Sequence, residues 1–430
     1  MSPSPEIRGW CPTAYRPMES GDGLLIRAKV IGAKINAAQL RAIAQISQNF
    51  GNGLIDLTQR GQFQIRGAQP STFRDAIDDL GKAGLISANA DIERITNILS
   101  PPLAGLDKSA MFDASLLVSD LAKMLAQDPA LYALPAKFLF AINDDGALPI
   151  DDNEADISIH PASESRFAVR LASVEDQAAI VPSKDVIDTV LRLTKAFINL
   201  RSANPFDLRR MGKFIEAIGV SQLIERASVS LSCFTPSRKT TITDFLGAHE
   251  MSGYAFVGVG APSGRWRAKD LAVLAMEASC HGLNEVRLTP WRAILLPTPD
   301  MTSAIRIKNQ AQIMGLIVDS NDPRRSVVAC PGSPECFQAK GETRRYLKRL
   351  ASFAPLFAGR DGVGLHISGC EKGCFRRKST PLTLVIDHEG LNLVIDGRAQ
   401  DQPNQSNLTI EEVEQSLTHE LRKKAQCLKD

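Results

Sequence analysis

Eight cysteines occur in this chain of 430 residues, and four of them, Cys330, Cys336, Cys370 and Cys374, fall within 45 positions. Five residues separate the first pair and three the second. Pro331 and Pro334 predict an irregular loop for the first pair, because proline fixes φ and lacks the N–H that a helix or strand would use. Residues four apart are neighbours on a helix, so Cys370 and Cys374 could share one face of a helical turn. The segment leading to them, VGLHISGC, reads as a strand ending at Gly369. Four thiolates converging from two loops suit a cubane 4Fe-4S cluster, which takes one thiolate per iron. Structural zinc generally uses tighter pairs, with roughly two to four intervening residues. Disulfides are disfavoured in a reducing compartment, and unrelated buried thiols rarely group so closely. Iron–sulfur ligation by these four cysteines is therefore preferred over zinc, disulfides and unrelated thiols. The remaining four are expected to be ordinary small buried side chains, with the role of Cys11, in a Trp-Cys-Pro turn, left open.

At 44% hydrophobic and 23% charged, the composition is that of a globular chain of about two to four domains. No apolar run approaches the roughly 18–20 residues that span a bilayer, and the N-terminus lacks an apolar signal core, which places the protein in the cytoplasm. The 50 Lys and Arg nearly cancel the 48 Asp and Glu, and nothing in that total suggests nucleic acid as a partner. The balance hides a polarity along the chain. Residues 324–378 hold twelve Lys and Arg against four acids, whereas residues 107–156 hold ten acids against three bases. RRYLKR at 344–349 reads as one solvated helical face. Arg376, Arg377 and Lys378 differ, because they directly follow a cluster cysteine. A positive field there would attract an anionic substrate and favour the more negative, reduced state of a cluster. Guanidinium groups are suited to gripping carboxylates through paired hydrogen bonds.

These groups must be positioned by the rest of the chain, which contains a gap-free repeat. A shift of 231 residues places Ile26 on Val257, Ala28 on Val259, Leu40 on Leu271, Ile43 on Leu274, Ile55 on Val286, Leu57 on Leu288, Thr58 on Thr289 and Ile65 on Leu296. In the first copy LLIRAKV alternates as a strand, and Leu40, Ile43 and Ile46 mark one face of a helix over 37–49. LIDLT and QFQIR then read as strands joined around Arg60 and Gly61. Each copy is a β-α-β-β unit, and two such halves are expected to pair about a pseudo-twofold axis, with a cleft between them. Loop-rich stretches at 143–154 and 320–325 punctuate the rest. The expected division is 15–69 for the first half, 70–242 for an α/β domain, 243–309 for the second half and 310–430 for the cluster domain. GVGAPSG at 258–264 begins like a dinucleotide loop but lacks the third glycine and the following acid.

The C-x5-C and C-x3-C pairs together with the duplicated half resemble the siroheme-dependent sulfite and nitrite reductases, from about Arg8 to about Asp396. Within that superfamily, the opening RGWCPTAYRPMESGDGLL, the LPAKF segment at 134–138 and the short chain resemble the precorrin-3B synthases. The implied fold class is α+β, with duplicated βαββ ferredoxin-like half-domains and two further α/β domains of sulfite/nitrite reductase type, the second carrying the cluster. In the reductases, basic residues of the first repeat and the following domain hold the tetrapyrrole carboxylates. Arg27, Lys29, Arg60 and Lys137 fall on such positions and are the candidate substrate-binding set, with Arg376 and Arg377 beside the cluster. Lys137 is expected to open the strand KFLFAI. Where a reductase would show LPRKFK, Ala136 and Leu139 stand instead, which weakens the siroheme reading.

The resemblance implies an iron–sulfur monooxygenase of aerobic cobalamin biosynthesis. Precorrin-3A would be hydroxylated at a meso carbon with dioxygen and reductant, and a ring acetate would close a γ-lactone. The alternative is a siroheme-dependent sulfite or nitrite reductase, and a third reading is a cluster-bearing tetrapyrrole binder without catalysis. Electrons would come from outside, from a ferredoxin or an NADH-dependent reductase. The oxygen-activating centre is not assigned: a second, non-haem iron is one candidate, with His366 as a candidate ligand, although a core strand position is the preferred reading for that histidine.

Overall fold

The computed structural model describes residues 12–204, 207–237, 244–359 and 361–427. Cys11 and Arg360 lie outside the described residues, as does the side chain of Cys427.

The first half contains β1 (Met18–Ser20), β2 (Gly23–Ala28), β3 (Lys34–Asn36), α1 (Ala37–Phe50), β4 (Leu54–Leu57), β5 (Phe63–Ala68) and α2 (Phe73–Lys82). Helix α1 starts where Asn36 caps it: the Asn36 side chain accepts the Gln39 N–H, and the Gln39 side chain accepts the Asn36 N–H. Leu40, Ile43 and Ile46 are buried along its inner face, as their spacing predicts. The β4–β5 turn closes with Thr58 and Gln62, and Gly61 adopts φ +61° there.

The next segment contains α3 (Ala90–Ile95), β6 (Ile98–Leu99), α4 (Ala114–Gln127), β7 (Phe140–Ile142), β8 (Ile157–Ser163), β9 (Arg166–Leu171), β10 (Gln177–Pro182), α5 (Val186–Ser202), α6 (Met211–Ile218), α7 (Ser221–Ala227) and β11 (Ser232–Cys233). Its six strands run β11-β10-β9-β8-β7-β6, with β6, β7 and β8 parallel. Phe138, Phe140, Phe197 and Phe214 interlock in its core. The acids of this segment are partly neutralised at home, Asp156 by Arg210, Asp152 by Arg170, and Asp128 by Lys195.

The second half repeats the first as β12 (Gly247–Met251), β13 (Tyr254–Gly260), β14 (Arg265–Arg267), α8 (Ala268–Cys280), β15 (Glu285–Leu288), β16 (Ala293–Thr298) and α9 (Met301–Ile313). The repeat is therefore larger than βαββ, since each copy also has a leading strand, a short strand before the first helix and a closing helix. Those short strands are exchanged. β14 joins the first sheet, in order β1-β2-β5-β4-β14, and β3 joins the second, in order β12-β13-β16-β15-β3. The registers obey the same symmetry, Arg265 opposite Asp56 and Lys34 opposite Arg287. Helices α1 and α8 pack together, and both halves share one hydrophobic core. Ala76 and Leu80 of α2 belong to that core, so the helix after residue 69 continues the first half, and the boundary expected at 309 falls inside α9.

The last segment contains β17 (Val327–Ala329), α10 (Thr343–Leu350), α11 (Ala354–Phe357), β18 (Leu365–Ser368), β19 (Thr380–Ile386), β20 (Leu391–Gly397), β21 (Gln405–Leu408) and α12 (Ile410–Cys427), with its five strands in chain order. Leu365, Ile367, Leu382 and Leu384 face the helices. No helix among the described residues is long and apolar enough to cross a membrane.

Candidate functional site

The four clustered cysteines leave the sheet of the last segment at the ends of two adjacent parallel strands. Cys330 follows β17 and Cys370 follows β18, and these strands are paired in register. Cys336 lies on the irregular loop expected of its prolines. Cys370 and Cys374 sit on consecutive turns rather than on a helix, because Gly373 takes φ +56°, which no α-helix accommodates. Cys330 is buried, Cys336 and Cys370 are half-buried, and Cys374 is exposed. The Gly369 N–H donates to the Cys330 Sγ at 3.2 Å. Burial pushes the Cys330 thiol up to about 11, with Cys374 and Cys336 adding to the rise, so the thiols lie within electrostatic reach of one another. Among the described residues, no three His, Cys, Asp or Glu side chains close on a point that would hold one metal ion. A cubane makes a different demand, one thiolate per iron, and four cysteines on the two loops that follow β17 and β18 match it in number.

The duplicated halves brace these loops. Glu335, next to Cys336, accepts at its carbonyl from Arg66 Nη2 at 2.7 Å and from the Ser20 hydroxyl, and its carboxylate meets Arg265 Nη1 at 2.5 Å. Arg66 and Arg265 both pair with Asp56, and Arg344 lies 3.9 Å from the same carboxylate. Burial alone would raise the Asp56 carboxyl, but Arg265, Arg344 and Arg66 hold it down at about 2. The pseudo-symmetric position is Arg287, which donates instead to the Ala104 carbonyl at 2.8 Å. Thus equivalent strands tie the paired halves to two different domains, one through an acid and one through a base. The turn after β1 comes so close to the cysteine loop that a Cβ on Gly21 would lie 1.9 Å from the Pro334 carbonyl oxygen. Gly21→Ala is expected to displace the loop, lowering iron content per chain while the far-ultraviolet circular dichroism stays unchanged; full iron loading in this variant would show that the loop tolerates the shift.

A cleft opens between the first half and the middle domain, lined by Pro12, Thr13, Arg27, Lys29, Arg60, Gln62, Glu93, Arg94, Asn97, Ile98, Ala136 and Leu139. The alternation of β2 continues past its end, bringing Arg27 and Lys29 to the same side. Lys29 is buried, its Nζ donating to the Glu93 carbonyl at 2.9 Å and to Asn97 Oδ1 at 3.4 Å. Burial lowers its pKa to about 7, with Glu93 opposing the fall and Arg27 and Arg60 adding to it. Arg60, at the β4–β5 tip, donates to the Lys137 carbonyl at 3.2 Å. Asn97 donates to the carbonyls of Ala136 and Phe138, both at 3.2 Å, fixing that turn against β6.

Residues 16–83 match the family described as the nitrite/sulfite reductase ferredoxin-like half domain. The whole chain is 28% identical over 411 residues to the precorrin-3B synthase of Sinorhizobium sp, covering 92% of this chain and 84% of that protein. It is 26% identical over 406 residues to the ferredoxin-nitrite reductase of Synechococcus elongatus, covering 85% and 76%. The structure of the Mycobacterium tuberculosis NirA protein shares the fold, with a TM-score of 0.72 at 19% identity over 91% of this chain and 78% of that one. Along most of its length the chain is similar to proteins of the sulfite/nitrite reductase superfamily. It is an oxidoreductase with that superfamily's α+β architecture.

Among the superfamily positions singled out in the sequence, Arg27, Lys29 and Arg60 come together in the cleft. Lys137 does not line it and contributes its carbonyl instead; it sits in a turn, with strand β7 beginning only at Phe140. Arg376 is engaged by Asp361 and Thr380, each at 2.7 Å, and Arg377 is exposed, so neither joins the cleft. His366 is fully buried on β18, and burial lowers its pKa to about 4. Cys233 and Cys280 are exposed, contrary to the expectation of buried side chains, because one lies on an edge strand and the other at a helix end. Three basic groups near the cysteines were not singled out. Arg265 joins the Asp56 network, Arg292 stacks over Phe375 at 3.6 Å, and Arg344 is turned inward from the helix read as solvated. Arg292 had a signal in the repeat: it occupies the position of Gly61 and adopts the same left-handed turn, φ +63°.

Proposed function

We propose that this oxidoreductase is a precorrin-3B synthase, an iron–sulfur monooxygenase that hydroxylates precorrin-3A with dioxygen and reductant and forms the γ-lactone. The observation that carries this reading is the composition of the cleft wall. The positions where a siroheme reductase would present basic residues are Ala136 and Leu139, and both line the cleft. The lining also keeps Arg27, Lys29 and Arg60 for carboxylates. A cleft that presents Arg27, Lys29 and Arg60 together with Ile98, Ala136 and Leu139, and with Glu93, Arg94 and Asn97 also in its lining, suits a metal-free macrocycle that carries carboxylates at its rim. Similarity to the Sinorhizobium precorrin-3B synthase along 92% of the chain supports the same choice.

Cys330, Cys336, Cys370 and Cys374 would hold the 4Fe-4S cluster, which supplies one-electron transfer when bound. Arg27 and Arg60 would fix substrate carboxylates, and Asn97 keeps the Ala136 turn against the cleft. The half-exposed second cysteine pair, with Lys372, Arg377 and Lys378 nearby, gives an acidic donor such as a ferredoxin an accessible approach. The alternative, a siroheme sulfite or nitrite reductase, is tested by the visible spectrum of anaerobically purified protein. Broad iron–sulfur absorption without siroheme bands is expected; stoichiometric siroheme would overturn the oxygenase reading.

Lys29 gives the cleft a pH signature. A lysine of pKa about 7 is cationic below that value and neutral above it. Affinity for an anionic tetrapyrrole is therefore expected to fall as pH rises through about 7, by roughly tenfold for one charged hydrogen bond worth about 1.5 kcal/mol. Lys29→Met should remove this dependence while weakening binding at low pH. A wild-type dissociation constant that does not change between pH 6 and about 8.5 would exclude Lys29 from carboxylate binding.

A further inference from the structure

Two features beside Cys330 have no part in the cleft. One is the turn between β13 and β14, whose APSG sequence ends the stretch that resembles a dinucleotide loop; the other is the start of α10. Ser263 Oγ accepts the Ala329 N–H at 2.9 Å, and Thr343 donates to the Cys330 carbonyl at 2.6 Å, so both pack onto the strand end that carries Cys330. Arg344 spans them. Its Nη1 donates to the Pro262 carbonyl at 3.1 Å, and its Nη2 stands 3.9 Å from Asp56 Oδ1, too far for a hydrogen bond. Nε and Nη2 are shielded from solvent and meet no acceptor. Buried donors left unbonded cost about 1–3 kcal/mol each, and a native structure rarely keeps them unless something else supplies the acceptor.

We propose that Arg344 donates these N–H groups to the sulfurs of the cluster held by Cys330, and so acts as a positioning residue that sets the cluster's reduction potential. The inference rests on the cluster reading above. Thr343, the neighbour of Arg344, is bonded to the Cys330 carbonyl, and Arg344 is not among the residues that line the cleft, so the guanidinium stands on the cysteine side rather than on the substrate side. Hydrogen bonds and positive charge at cluster sulfurs stabilise the more negative, reduced state and raise the potential. Asp56 and Pro262 hold the guanidinium in place without using the two donors.

The test is a redox titration of the full-length protein followed by electron paramagnetic resonance, with iron and sulfide content measured alongside. Arg344→Gln is expected to retain the cluster and shift its midpoint potential to more negative values. Arg344→Lys should shift it in the same direction but less, since lysine keeps the charge and loses the planar fork; it also provides the readout if the glutamine variant does not load. Arg377→Gln, an exposed charge near the same cysteines, should move it less than either. An unchanged potential in a fully loaded Arg344→Gln protein would overturn the proposal, as would equal shifts in Arg344→Gln and Arg377→Gln, which would mark a diffuse field. A wild-type protein with no iron–sulfur signal would remove the cluster reading on which the inference rests.

Discussion

Cys370→Ser is expected to yield a folded protein without its cluster and without turnover. In the proposed site the four cysteines would supply one ligand per iron, and a serine hydroxyl at neutral pH is not the soft anionic donor that iron–sulfur chemistry needs. The fold should survive, because the core beneath the cysteines is built from Leu365, Ile367, Leu382 and Leu384 and from helices α10 and α12, none of which uses a thiol. Iron and acid-labile sulfide should fall to near zero and the visible absorption should vanish, while the far-ultraviolet spectrum remains. Cys336→Ser should behave alike, although its sulfur belongs to the other loop. Cys280→Ser, on an exposed helix end, is the control and should change none of these. Retention of full iron content in Cys370→Ser would contradict the ligand assignment.

Asp56→Asn is expected to be among the most destabilising single changes in the chain. The carboxylate is buried, and Arg66, Arg265 and Arg344 surround it, tying the first half to the second and both to the loop of Cys336. Removing one partner of a buried ionic network leaves uncompensated charge and costs about 3–5 kcal/mol. The thermal midpoint should drop by several degrees, and iron loading should fall with it because Glu335 loses its ordered partner Arg265. Acid gives a second view of the same group. The folded pKa of about 2 lies below the ordinary 3.8, so the Asp56 contribution is fully present above about pH 4 and is lost as pH falls towards 2. That difference corresponds to about 2 kcal/mol. Equal denaturant midpoints for Asp56→Asn and wild type would refute the role given to this network.

What could be read from the sequence follows the range of the signals. Apolar spacing is local, and it placed α1, β2, β4 and β5 correctly; the gap-free repeat then located their copies at β13, α8, β15 and β16. The exchange of β3 and β14 was not legible, since three-residue strands have too little periodicity to show which sheet they join. Cysteine spacing singled out the cluster loops but not their geometry, because Gly373 in a left-handed conformation turns a helix-like spacing into consecutive turns. The shared location of Arg27, Lys29 and Arg60 in one cleft was legible through strand alternation and the hairpin tip, while their role toward a substrate is a proposal. The pairing of Arg376 was not legible, because its partner Asp361 lies fifteen positions away and only the folded chain brings the two together. Arg344 was taken for a surface charge because its neighbours Arg345, Lys348 and Arg349 are exposed, and one residue turned inward does not change the pattern of the helix.

The most direct test of the oxygenase reading is a single turnover with isotopically heavy dioxygen. Anaerobically purified protein carrying its cluster would be mixed with precorrin-3A and a chemical reductant, then exposed to the labelled gas, and the product mass measured. The proposal predicts one labelled oxygen atom in the tetrapyrrole product, with loss of that product in Cys370→Ser. Unlabelled, unmodified precorrin-3A recovered from fully loaded wild-type protein would contradict it.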